Sequence, residues 1–85
     1  MALYKQQAEN GLSLLKQAII GYIIAHPAGV TNAQVATDLL LESDFEGKHQ
    51  NYLSWSILGL LVNEGLIRYR LNGRSKIYFV SDTTD

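Results

Sequence analysis

Cysteine is absent from this 85-residue chain, and proline occurs only once. Without cysteine the chain can form neither a disulfide framework nor a thiolate metal site, so we expect a reducing, cytoplasmic compartment. The apolar stretch near the N-terminus is interrupted by Lys16 and Gln17 and stops at Pro27, which makes it too short and too polar to span a bilayer. No secretory signal is visible. We therefore expect no contact with a membrane.

Catalytic and metal-binding patterns are missing as well. The two histidines, His26 and His49, stand far apart in the sequence, with no carboxylates at ligand spacing. A glycine-rich phosphate loop, paired acids in an apolar setting and a supported Ser-His-Asp order are all absent. We predict no enzymatic activity, no metal and no cofactor. A charge excess is also lacking: the net charge is −1, which gives no global attraction to nucleic acid.

What the chain does contain is enough apolar residues, 47%, for one small globular domain. A first helix is predicted over 12–25, with a stripe of Leu12, Leu15, Ile19, Tyr22 and Ile23. His26-Pro27 ends it, because proline disfavours a helical residue before it. A capping-box pattern, Thr31 followed by Gln34, starts a second helix predicted over 32–41.

A third helix and a hairpin complete the predicted order. The helix is expected over 50–64 and closes on Gly65, with a core face of Leu53, Ile57, Leu60 and Leu61 and alternative members Ser54 and Leu58. Strands are predicted at 66–71 and 75–80, joined by a type I′ turn at Asn72-Gly73. The sequence thus predicts an α+β, mainly helical domain: three helices, then an antiparallel two-stranded hairpin.

This order of elements resembles the winged helix-turn-helix superfamily. The resemblance rests on helix 1, the short connection 26–31, the capped helix 2, helix 3 closing on Gly65, and the Asn72-Gly73-Arg74 hairpin tip, over residues 12–80. It implies a DNA-binding transcription factor, with helix 3 in the major groove and the hairpin, or wing, on the phosphate backbone. A minority of the superfamily are protein-interaction modules, which is the alternative function.

The chain's ends and one spacer depart from this plan. Residues 1–11 are either a frayed tail or a helical arm continuing the stripe through Tyr4 and Ala8, and long arms tend to pack against a second copy. Residues 81–85 are expected to be a disordered tail. Between helices 2 and 3, residues 42–49 are about twice the usual 3–4-residue turn and carry three acids against one lysine. We expect Phe45 to anchor this spacer and Gly47 to relieve its path.

The first candidate site is the hairpin, which holds four of the chain's seven basic residues and no acid between Gly65 and Ser81. A positive hairpin with interleaved tyrosines suits contact with phosphates. The alternative is that strands carry basic residues for solubility and edge protection. If Asn72-Gly73 forms the turn, Arg74 and Lys76 share one face of the hairpin with Tyr69 and Tyr78. Arg68 and Arg70 lie on the other face.

The second candidate site is the start of helix 3. Asn and Gln can form bidentate contacts with adenine, and serine can bond to several base edges. No lysine or arginine lies between His49 and Arg68, however, and Gln50 and Asn51 could instead cap the helix. The aromatic pair Tyr52 and Trp55, with Gly59, also suits an interaction surface. The candidates are Lys48, His49, Gln50, Asn51, Tyr52, Ser54, Trp55 and Ser56.

The function predicted from sequence is a small DNA-binding transcriptional regulator. Its partners are expected to be double-stranded DNA and a second copy of the chain, because a domain this small buries a thin core and often dimerises. In the alternative, the Tyr52/Trp55/Gly59 face or the N-terminal arm holds a protein partner without direct DNA binding.

Overall fold

The computed structural model describes residues 2–42, 44–45 and 49–80, and it confirms a mainly helical α+β chain. Three helices, α1 (Ala2–Ile24), α2 (Asn32–Asp38) and α3 (Tyr52–Asn63), are followed by an antiparallel hairpin of two strands. Two very short strands, β1 (Asp44–Phe45) and β2 (His49–Gln50), precede α3, and the hairpin consists of β3 (Arg68–Asn72) and β4 (Ser75–Phe79). The expected tail at 81–85 lies outside the described residues.

The first helix extends well beyond the residues that pack into the domain. It begins at Ala2, so the helical arm is the alternative that the structure supports, and Gly11 does not break it. Residues 2–14 are all exposed, and packing against the rest of the chain begins at Leu15. The helix ends at Ile24, close to the predicted end before Pro27. Despite this length, no described helix is apolar enough over a sufficient stretch to cross a membrane.

The second helix starts as predicted and ends early. Both bonds of the capping box are present, from the Gln34 amide to the Thr31 hydroxyl and from the Thr31 amide to the Gln34 side chain. The helix ends at Asp38 rather than at 41, because Leu40 has a φ of 55°. The Leu41 amide then donates to the Ala36 carbonyl and the Leu40 amide to that of Thr37, the bonds of a Schellman motif with leucine in the place of the usual glycine.

Leu40→Gly is therefore expected to stabilise the protein. A left-handed conformation costs leucine about 1–2 kcal/mol, and glycine avoids this cost while losing about 0.5–1 kcal/mol in chain entropy. The Leu40 side chain is 85% exposed, so little packing is lost. We expect a gain of about 0.5–1 kcal/mol, or roughly 2–8 °C in Tm, by thermal melting. Thr37→Gly, an exposed position inside the helix, should lower Tm; an equal loss at Leu40 contradicts the prediction.

The spacer before α3 forms a small ribbon that the sequence did not predict. Asp44 pairs with Gln50 and Phe45 with His49, antiparallel. Because Gln50 belongs to a strand and Asn51 has a φ of 58°, the helix begins at Tyr52 instead of 50. The expected role of Gly47 and the side-chain anchor at Phe45 lie outside what the structure describes.

The third helix is rotated relative to the predicted face. Ser54, Ile57, Leu58 and Leu61 are buried, whereas Leu53 and Leu60 are more than a third exposed, so their assignment to the core was wrong. The Lys16 ammonium forms an ion pair with the Glu64 carboxylate, which brings the Leu60/Glu64 flank of α3 towards α1. The core is completed by residues of α1, α2, β4 and the connections before α2 and β3: Ile19, Ile23, Val30, Val35, Ile67 and Tyr78.

The helix end and the hairpin follow in close succession. Gly65, at a φ of 77°, closes α3 as predicted, with the Gly65 amide donating to Val62 and the Leu66 amide to Leu61. The hairpin turn is Gly73-Arg74 rather than Asn72-Gly73, since Asn72 pairs with Ser75. Only Gly73 of these two residues has a positive φ, which is typical of a type II′ turn rather than type I′. Moving the turn by one residue changes the cross-strand partner of each residue by two positions. Because side chains alternate between the faces, each residue stays on its predicted face.

Candidate nucleic-acid interface

The connection between α1 and α2 is bonded to the hairpin. Val30 pairs with Tyr78 in an antiparallel bridge, with the Val30 amide donating to the Tyr78 carbonyl at 2.9 Å and the reverse bond at 2.7 Å. Gly29, at a φ of 102°, passes so close to Ile77 that a side chain there would clash with it. This approach fixes the start of α2 beside β4. Residues far apart in sequence thereby come to line one groove.

The groove runs between α3 and the hairpin, and we call it the α3–hairpin groove. It consists of two adjoining hollows of about 360 and 270 Å³ that share Trp55, Lys76 and Tyr78. The first hollow is bounded also by the start of α2 and the hairpin tip, namely Thr31, Asn32, Ala33, Arg74 and Ser75. The second extends along α3 and β3, past Gly59, Val62, Asn63 and Tyr69. The groove is open, so it suits an elongated ligand on the surface.

Charge in this groove has one sign. Among the described residues that line it, the two ionised side chains are Arg74 and Lys76. The Lys76 ammonium lies 4.6 Å from the centre of the exposed Tyr69 ring, in cation–π contact. Within the described part of the chain, Arg74 has no ion-pair partner. Both cations are therefore available to an anionic ligand, while the chain as a whole is slightly acidic.

The other two hairpin arginines point away from the groove. Arg68 pairs with Phe79 and Arg70 with Ile77, so they occupy the strand face opposite Tyr69 and Lys76. Arg70 is also held in place: its guanidinium donates to the Ala28 carbonyl at 3.0 Å and lies 5.6 Å from the Phe79 ring centre. The four predicted basic residues thus divide into a groove pair and a pair on the opposite face.

The predicted residues at the start of helix 3 are also divided. Trp55 is 54% exposed and lines both hollows, while Tyr52 and Ser56 are exposed outside the lining. Ser54 is fully buried, and its hydroxyl contacts the Asn32 side chain, so it cannot reach a base edge and is corrected to a structural residue. His49 and Gln50 are described only as backbone in β2, and Lys48 lies outside the described residues.

Asn51 acts through its backbone at the helix start. Its carbonyl accepts from the Asn32 side-chain amide at 3.2 Å and from the Ser54 hydroxyl at 3.0 Å. Asn51 occupies the N-cap position, but its side chain makes no capping bond, so the structure does not support the alternative of a side-chain cap. The Asn32–Asn51–Ser54 cluster joins the first residue of α2 to the start of α3 by hydrogen bonds.

Tyr78 forms the buried floor shared by both hollows. Burial, with a smaller contribution from Tyr69 nearby, raises the pKa of Tyr78 above its ordinary value. The hydrogen bond from the Tyr22 hydroxyl to Asp38 likewise raises the pKa of Tyr22, with added effects of burial and the Asp38 charge. Both phenols are therefore expected to stay protonated when ordinary tyrosines ionise near pH ~10.

Stability should fall in alkali for this reason. As pH rises past about 10, Tyr78 loses its proton in the unfolded chain before it does in the folded one. This favours the unfolded chain, so the free energy of unfolding falls. Tyr78→Phe keeps the ring but removes the titrating hydroxyl. We expect its Tm to drop less between about pH 9 and pH 11 than the Tm of the unmodified protein. Equal losses contradict the prediction. Tyr22 remains in both proteins, so its own contribution cancels in the comparison.

Sequence reasoning missed the part of the groove that α2 supplies. Thr31, Asn32 and Ala33 line it, yet their sequence signal was a helix cap and carried no indication of the neighbouring hairpin. Arg74 and Lys76 were found by charge, and Trp55 by its place on an apolar face. Among the described residues, no group of His, Asp and Glu is placed to hold a metal ion.

The geometry of the groove is the observation from which a function can be argued. The groove combines the cations of Arg74 and Lys76 with an exposed tryptophan, an exposed tyrosine and the buried phenol of Tyr78. No protein-family model, curated protein or solved structure matches the chain.

Proposed function

We propose that this chain is a winged-helix protein that binds double-stranded DNA and regulates transcription. The observation that carries the proposal is the α3–hairpin groove, where Arg74 and Lys76 are the charged lining residues and both are basic. An elongated polyanion can lie against these cations while the exposed edge of α3 faces it. The order of three helices and a hairpin supports the same assignment.

In this proposal the hairpin and the helix have different tasks. Arg74 and Lys76 contact phosphates, which position the duplex without reading its sequence. The residues that approach the base edges are Tyr52 and Trp55 in the first turn of α3 and the two residues before it, Gln50 and Asn51. A helix without cations contributes little to affinity by charge, so we expect modest affinity and a strong dependence on salt.

The base-reading role of Asn51 can be tested with a substitution that suits its left-handed backbone conformation. Asn51→Ala is a poor choice, because alanine is strained at a φ of 58°. Asn51→Gly accepts this conformation and removes only the side chain. It should cost about 1–3 kcal/mol on the preferred sequence and little on random duplex, measured by competition binding. An equal loss on both sequences excludes base reading by Asn51.

The single tryptophan provides a direct test of where DNA binds. Trp55 lines both hollows, so duplex DNA in the groove should change its fluorescence as the complex forms. Anisotropy of a labelled duplex measures binding independently. Binding by anisotropy with unchanged Trp55 emission places the DNA elsewhere and contradicts the proposed site.

A protein-interaction module is the second candidate. The observation that favours it is the outer face of α3, where Tyr52 and Trp55 are about half exposed and no cation is present. Exposed aromatic residues are enriched at protein interfaces. In this alternative the groove holds a polypeptide segment, and the protein shows no salt-dependent binding to duplex DNA.

A further inference from the structure

The N-terminal arm, residues 2–14 of α1, lies outside the core that the described residues form. All its residues are exposed, and Leu3, Tyr4 and Leu14 are each more than 60% exposed. The arm spans about 20 Å at 1.5 Å per residue. Most of a helix's stability in proteins comes from packing an apolar face, so an uncovered arm of this length gains from a partner.

The arm's apolar face continues the face that packs inside the domain. Tyr4, Ala8 and Leu12 follow one another at intervals of four, in line with Leu15 and Ile19. Leu15 and Ile19 contact the core, whereas Tyr4, Ala8 and Leu12 extend this stripe beyond it. We call Tyr4, Ala8 and Leu12 the arm stripe.

We propose that the arm stripe pairs with the arm stripe of a second copy of this chain, antiparallel, about a two-fold axis near Ala8. This pairing sets Tyr4 of one protomer against Leu12 of the partner subunit and brings the two Ala8 side chains together. The small side chains of Ala8 and Gly11 let the helices approach closely. A two-fold interface uses the same patch on both copies, and Tyr4 and Leu12 are equally spaced from Ala8, so each meets the other across the axis.

The charges of the arm are complementary to themselves in this arrangement. Lys5 and Glu9 lie on the same flank of the stripe. About an axis at Ala8, Lys5 of one protomer comes within about 3 Å along the helix axis of Glu9 of the partner subunit, and the symmetric pair does the same. Such rim pairs contribute little energy but fix register.

Other occupants fit the arm less well. A helix that lies on an anionic membrane carries a polar face rich in lysine and arginine. The arm has one lysine balanced by one glutamate, and its other polar residues are neutral.

A pair of matched variants tests the arm. Ala8→Glu places two carboxylates against each other at the axis, whereas Gln6→Glu adds the same charge on the opposite side of the helix. By sedimentation at micromolar concentration, we expect the unmodified protein and Gln6→Glu at twice the 9.5 kDa chain mass, and Ala8→Glu at 9.5 kDa. Both substitutions are at exposed positions, so the domain should keep its fold, checked by circular dichroism.

Exchange of the charged residues tests the antiparallel register separately. Lys5→Glu should weaken the dimer, and adding Glu9→Lys should restore it, because the exchanged charges still meet across the axis. A 9.5 kDa unmodified protein overturns the proposal, as does an Ala8→Glu variant as dimeric as Gln6→Glu. The arm does not contribute to the α3–hairpin groove, so monomeric Ala8→Glu should still change Trp55 fluorescence with DNA. This readout separates failure of the dimer from failure of DNA binding.

Discussion

Leu61→Ala is expected to destabilise the protein by about 2–5 kcal/mol, which is a large part of the stability of a domain this small. Leu61 is fully buried in α3 and belongs to the core formed with α1 and Tyr78. Truncation removes apolar burial and leaves a cavity that the neighbouring side chains fill only in part. Urea unfolding should show a lower midpoint with an unchanged slope, and Tm should fall by roughly 10 °C or more.

Leu60→Ala is the matched control. Its side chain precedes Leu61 directly in the sequence but is 40% exposed, so the same truncation should cost about 1 kcal/mol or less. The difference between the two losses of stability therefore tests which face of α3 is directed at the core. Equal costs, or a larger cost at Leu60, contradict the packing of this helix and with it the position of Trp55 at the groove.

Removal of both groove cations should have the largest effect on DNA binding. For the double variant Arg74→Gln and Lys76→Gln, we expect weaker binding to every duplex, by roughly tenfold for each charge at low salt. The negative slope of log affinity against log salt should become shallower by about two units, one for each lost phosphate contact. Both residues are exposed and one is in a turn, so Tm should change little.

The hairpin provides its own control for this experiment. Arg68→Gln removes a positive charge from the face opposite Lys76, where it does not line the groove. Its effect on the salt slope should be well below that of either groove residue. Equal effects at all three positions indicate attraction to the net charge of the hairpin rather than to the groove.

Local signals in the sequence predicted the helix boundaries best. The capping box of Thr31 and Gln34 and the closure of α3 at Gly65 depend on residues within one turn, so both were predictable. The early end of α2 was not, because the left-handed residue there is Leu40, a residue type that carries no such signal. The hairpin turn was misplaced by one residue, since Asn72 and Gly73 each suit a turn and only pairing across the strands selects between the alternatives.

Contacts between residues distant in sequence determined which face of α3 is buried and how the groove is formed. Helical spacing allowed Leu60 or Leu58 to face the core, and packing of α3 against α1 and α2 selected Leu58. Ser54 was both an alternative member of the core face and a base-reading candidate, and a hydrogen bond to the Asn32 side chain allows its hydroxyl to be buried. The Val30–Tyr78 bridge brings α2 to the hairpin, and no periodicity in the sequence indicates a single bridge. The charged and aromatic residues of the groove could thus be predicted, but not its shape.

Titration of a fluorescently labelled duplex with the unmodified protein, at 50 and 200 mM salt, tests DNA binding most directly. If Arg74 and Lys76 contact phosphates in the groove, the duplex binds at the lower salt and affinity falls clearly at the higher. The change in Trp55 fluorescence should follow the same curve. No binding to any duplex at 50 mM salt contradicts the proposed function and leaves the Tyr52/Trp55 face of α3 as the surface for a protein partner.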